Sequence, residues 1–151
     1  MPPWGVEKAR QVVDSHQESF RRAHEAGVKI AMGTDAGVGP HGGNAKELAL
    51  MVDNGMSPME AIVASTARAA ELLGIADRLG TIEPGKVADL ILVDGNPAGD
   101  ITVLLDPMHV TMVMKDGQVY KDLSRSVENT DILVASDAEA TSVGAGPRTS
   151  A

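Results

Sequence analysis

Residues Val28–Leu48 read VKIAMGTDAGVGPHGGNAKEL, and the reading of this stretch decides the fold. Its first part, Val28 to Met32, is short, largely apolar and followed by glycine, the pattern of a strand buried on both faces in a parallel sheet. Upstream, Val6, Ala9, Val13, His16, Phe20, Ala23 and Gly27 recur at spacings of three and four, one stripe of an amphipathic helix with Gly27 as its C′ residue. Helix then buried strand makes an α/β unit. Asp35 stands just past the strand's C-terminal end, where ligands and catalytic groups gather in α/β folds.

Downstream the pattern stays helical and then changes. Asn44 is placed to cap a helix whose third residue is Glu47, and the apolar run Leu48, Leu50, Met51, Val52 ends at Gly55. Ser57, Pro58 and Glu60 combine a cap, a proline at the first helical position and a capping-box glutamate, and AIVASTARAAELL continues helically to Gly74. Beyond Leu79 a Pro-Gly turn, an apolar run from Val87 to Val93 and a second turn cluster announce sheet. In VTMVMKDGQVYK, Val110–Lys121, the dipeptide Asp116-Gly117 predicts a type I′ hairpin with Met114 facing Val119 and Val113 facing Tyr120. From Leu123 onward small and polar residues dominate, broken only by DILV at Asp131–Val134, which predicts a mostly disordered tail.

Composition narrows the function. The formal charge is −8 with no run of Lys and Arg, so the basic footprint of a nucleic-acid binder is missing. No window approaches the roughly 18 apolar residues of a membrane span, and the start has neither the charge nor the apolar centre of a signal peptide. Without cysteine there is no disulfide framework and no thiolate metal site, so a reducing cytoplasm is the expected location. With one Trp, one Tyr and one Phe, any core is built from aliphatic residues and methionine.

Two readings of Asp35 follow from its position. It serves chemistry at the strand end, or it closes a loop by accepting hydrogen bonds from nearby backbone N–H groups. Gly37, Gly39 and Gly42 also fit G-x-G-x-x-G, the signature of dinucleotide binding. That reading fails on context, because the helix after the loop leads to another helix and not to a second parallel strand. A phosphate-binding P-loop is disfavoured as well, since Gly43 and Asn44 stand where Lys and Ser or Thr are required, and a dinucleotide-binding domain stays the lesser alternative. His41 in the loop is either a substrate contact or a solvated residue, and His16 on the apolar stripe is read as buried packing. His24 and His109 have no sequence neighbours that suggest more. No two histidines are spaced as a metal pair, so a complete zinc site is not legible.

Five segments in order then carry a resemblance: GTDAG at Gly33–Gly37, HGGNAKEL at His41–Leu48, GMSPMEAIVASTARAAELLGI at Gly55–Ile75, GTIEPGKVADLILVDGNP at Gly80–Pro97 and VMKDGQVYK at Val113–Lys121. Together they resemble the C-terminal end of the metal-dependent amidohydrolase superfamily, especially its dipeptidase-like and imidazolonepropionase-like members. The resemblance implies a TIM-like (β/α)8 barrel fragment, its last helix-strand-helix units, over residues 1–78. Part of a small β-sandwich follows over 79–122, with the mostly disordered tail over 123–151.

It further implies that Asp35 ligates a divalent metal, zinc being the one expected, takes a proton from the attacking water and passes it to the departing amine. A carboxylate suits both tasks. His41 matches a loop motif of dipeptidase-like members and is carried over as substrate-binding, while Asn44 is left as a helix cap. The superfamily's His-x-His, its bridging lysine and its later metal histidines have no counterpart after Val6, and a barrel takes about 250 residues.

The expectation is therefore a C-terminal portion of a hydrolase of C–N bonds in amides, peptides or cyclic amides, inactive alone. It needs the missing N-terminal barrel portion or another chain to complete the fold, and does not hold zinc stoichiometrically by itself. The alternative of a different class is a noncatalytic interaction module, whose orphan strand and incomplete sandwich expose edges that seek partners.

Overall fold

The computed structural model describes residues 3–35, 37 and 42–123. Helix α1, Pro3–Glu25, ends where the periodicity requires. The N–H of Val28 donates to the Ala23 carbonyl at 3.0 Å and that of Gly27 to the His24 carbonyl at 2.9 Å. This is a Schellman closure, with Gly27 at φ +73°, a conformation that costs a residue without Cβ little. The same pair of bonds closes α2, Lys46–Asp53, at Gly55 and α4, Ala67–Leu72, at Gly74.

Helix α3, Pro58–Ser65, opens on the predicted capping box. The Glu60 N–H donates to Ser57 Oγ at 3.3 Å, and Glu60 Oε2 accepts from the Ser57 N–H at 2.7 Å and from its hydroxyl at 2.8 Å. The helix then stops at Thr66, so the single helix expected to reach Gly74 is two helices.

The core lies where α2 and α3 face each other. Leu48, Met51, Met56, Ala61 and Ala64 are buried there, with Phe20, Ile30 and Met32 packed against them. Ile101, 3% exposed, closes the cluster from a 3-10 helix, Ile101–Leu105, that the sequence reading did not anticipate. Asp100 caps this turn, its carboxylate accepting from the N–H and hydroxyl of Thr102. The segment beyond Leu79 thus contributes to the same core as the helices before it.

Strands β1, Leu90–Val93, β2, Val110–Lys115, and β3, Gln118–Asp122, form an antiparallel sheet in that order. Asp116 and Gly117 sit at φ +51° and +74°, both positive as a type I′ hairpin requires. Met114 pairs with Val119 as expected, but Val113 pairs with Lys121 and not Tyr120. A bulge between Val113 and Met114 accommodates Tyr120 as an extra residue, and its ring is exposed.

Three further expectations change. Residues 28–35 carry neither strand nor helix, because a parallel strand takes its hydrogen bonds from neighbouring strands and no described segment lies beside it as one. Asn44 is not the α2 cap. The chain enters that helix through consecutive three-residue turns, Lys46, Glu47 and Leu48 N–H donating to the Gly43, Asn44 and Ala45 carbonyls. His16 is exposed, since among the described residues nothing packs over the middle of α1, where Val12 and Val13 are exposed too. The tail expected from residue 123 lies, beyond Leu123, outside the described residues. Among the described residues no helix is long and apolar enough to cross a membrane.

Candidate functional site

The stretch that carries Asp35 begins at the Gly27 turn and runs along the core. Val28 is 56% exposed, whereas Ile30 and Met32 pack against the α2–α3 cluster. Beyond the Val28 bond that closes α1, one backbone bond among the described residues ties the stretch to the helices: the Met32 N–H donates to the Ala64 carbonyl in the last turn of α3 at 3.0 Å. Three residues on, Asp35 adopts φ +45°, and its carbonyl accepts from the Gly37 N–H at 2.7 Å in a tight turn. Non-glycine residues with positive φ are uncommon, and Asp tolerates the region better than most. Such backbone outliers concentrate at functional positions.

The Asp35 side chain is exposed, and among the described residues its carboxylate has no hydrogen-bond or ion-pair partner. His41, expected at the substrate, lies outside the described residues, and the structure brings no other histidine to Asp35.

The opposite end of the stretch is chemically different. A cleft of about 300 Å³ opens between α1, residues 27–30 and α3, lined among others by His24, Lys29, Met59, Glu60, Val63 and Arg68. Its lining carboxylate Glu60 is engaged, as is Glu71, which pairs with the lining residues Lys29 and Arg68. Glu60 Oε2 is committed to Ser57 and Oε1 lies 3.2 Å from His24 Nε2. The Ser57 N–H, then its hydroxyl, then His24 hold the Glu60 carboxyl down at about 2 against an ordinary 4.5. Glu71 accepts from Arg68 at 2.8 Å and from Lys29 at 3.2 Å, and these two, Arg68 first, lower its pKa. The sequence reading missed the His24–Glu60 pair because 36 residues separate the partners and only tertiary packing joins them.

Among the described residues no group of three or more His, Cys, Asp or Glu side chains converges to hold a metal ion. A catalytic zinc site uses three protein ligands, so Asp35 alone does not fit one. What this end of the stretch offers is an exposed carboxylate, without a partner among the described residues, on an anchored backbone.

The Amidohydrolase family model matches residues 5–120. The chain belongs to the amidohydrolase family. Ochratoxinase of Aspergillus niger is 41% identical over 116 residues, 76% of this chain and 24% of the relative. The crystal structure of that ochratoxinase superposes with a TM-score of 0.70 at 37% identity, covering 82% of this chain and 29% of that one. A Xaa-Pro dipeptidase structure with methionine bound in its active site is 55% identical, with a TM-score of 0.66 over 70% of this chain and 25% of that one. Imidazolonepropionase of Geobacillus kaustophilus is 34% identical over 102 residues, 66% of this chain and 24% of the relative. The chain thus spans about a quarter of the length of the curated amidohydrolases it matches.

Proposed function

We propose that this chain is the C-terminal portion of an amidohydrolase barrel followed by the C-terminal part of its β-sandwich, with the division near residue 79. The activity of the enzyme it belongs to is hydrolysis of C–N bonds in small amides, peptides or cyclic amides, and Asp35 is that enzyme's proton-exchanging carboxylate. The supporting observation is the coincidence of three facts at one residue. Asp35 lies within the family match, follows a core-anchored stretch, and carries its carboxylate free of any described partner on a positive-φ backbone. The 55% identity to a Xaa-Pro dipeptidase favours a peptide-like substrate within this range.

Asp35 relays a proton: its carboxylate takes one from the attacking water and returns it to the departing nitrogen. A divalent metal belongs to this proposal only as a group shared between Asp35 and donors from other polypeptide, which the described residues do not supply. His41 is proposed on the substrate side of the same loop.

Alone, the chain is expected to turn over no dipeptide. A chimera in which residues 5–120 replace the corresponding segment of the Xaa-Pro dipeptidase tests the reading. Hydrolysis of Xaa-Pro dipeptides by a folded chimera supports it, and a folded but inert chimera counts against it.

The exposed apolar side chains Val12, Val28, Leu72, Leu73 and Ile82 favour a second, compatible reading. The chain functions only against a partner surface that covers them. A monomer at all concentrations in mass photometry would remove that reading.

A further inference from the structure

The sequence AIVASTARAAELL carries no glycine or proline to break a helix, yet Thr66 lies at φ −121°, ψ −88° and divides α3 from α4. The cause is local. The Ser65 and Thr66 hydroxyls both donate to the Ile62 carbonyl, at 2.9 and 2.7 Å. That carbonyl is the acceptor the Thr66 N–H uses in an unbroken helix, and the N–H goes to Val63 at 3.3 Å instead.

With the ladder interrupted, the Ala64 carbonyl turns to another chain segment and accepts from the Met32 N–H. On the far side Gly80, at φ +94°, packs into the break. A Cβ there would lie 2.7 Å from Ala70 Cβ and 3.1 Å from both Ala67 Cα and the Thr66 carbonyl oxygen. None of the three neighbours is the end of a flexible side chain, so only glycine fits without displacement.

We propose that Thr66 is a positioning residue for Asp35: its side chain breaks the helix, the break frees the Ala64 carbonyl to fix the Met32 amide three residues before Asp35, and Gly80 holds the break closed. The functional meaning rests on Asp35 being the catalytic carboxylate, but the coupling itself is readable without catalysis.

Amide hydrogen exchange on the full chain, followed residue by residue by NMR, tests it. The Val28 amide, bonded to Ala23 and remote from the break, is the internal control. Thr66→Val is expected to speed Met32 exchange about fivefold or more while leaving Val28 within about twofold. Thr66→Ser, which keeps the hydroxyl, is expected to restore slow exchange at Met32, a rescue that loss of general stability would not show. Should Thr66→Val fail to fold, Gly80→Ala carries the same expectation at Met32.

Unchanged Met32 exchange in a folded Thr66→Val or Gly80→Ala chain, or equal acceleration of Met32 and Val28, overturns the proposal. Failure of the Asp35 reading is distinguishable, because it shows as retained activity of Asp35→Asn in the dipeptidase chimera whatever the Met32 amide does.

Discussion

The α2–α3 pair and the stretch from Val28 to Asp35 lie side by side and share a core, but they are held in opposite ways. The helices carry their own closures: the Gly55 Schellman turn, the Ser57–Glu60 capping box, and facing residues buried to within a few per cent. The stretch borrows everything. Its inward residues lean on the helices, one amide reaches Ala64, Val28 is half bare, and the last side chain is a carboxylate without a partner among the described residues. The difference teaches that stability in this chain resides in elements satisfied by neighbours in sequence. The proposed chemistry resides where satisfaction comes from elsewhere.

Substitutions sharpen that contrast in descending order of effect. Met51, 3% exposed between the helices, is expected to cost about 2–5 kcal/mol as Met51→Ala, read as a lowered urea midpoint at unchanged slope. Ser57→Ala removes the cap of α3 and should cost about 1 kcal/mol by the same measurement.

Acid acts through the other half of that box. The Glu60 pKa is lowered from 4.5 to about 2 on folding, so its contribution is fully present above 4.5 and is lost as pH falls toward about 2. Glu71, Glu83 and Asp100 are lowered as well, so Glu60→Gln should make the acid limb of stability shallower without abolishing it. An acid limb as steep in Glu60→Gln as in the parent would show that the pairing is not held in solution. Smallest of all, Val28→Ala is expected to stay within about 0.5 kcal/mol. A loss there as large as at Met51 would break the comparison, because it would mean that the stretch is buried.

Much of the helical half was legible because its signals are local. Gly27, Gly55 and Gly74 end helices where periodicity lapses, Ser57-Pro58-Met59-Glu60 caps one, and Asp116-Gly117 turns a hairpin whose Met114–Val119 pair was read correctly. The remainder depended on partners distant in sequence. The bulge that shifts Val113 onto Lys121, the burial of Ile101 against α2 and the His24–Glu60 pair are decided by tertiary contacts. Thr66 is an intermediate case: its hydroxyl bond is local, but nothing in helical periodicity marks it. The strand expected at Val28–Met32 had the right composition and lacked, among the described residues, a neighbouring strand to bond with. Asp35 was singled out by its position at the end of that run, and the functional reading of it came from resemblance, since a lone carboxylate has no spacing to decode.

The central claim is that Asp35 is the residue through which this segment takes part in hydrolysis. It is tested most directly by kcat for an Xaa-Pro dipeptide in the chimera carrying residues 5–120, with Asp35 intact and as Asp35→Asn. The account predicts a folded variant with kcat lowered about 10²–10⁴-fold. Turnover within about twofold of the Asp35 chimera, well inside that range, would contradict it.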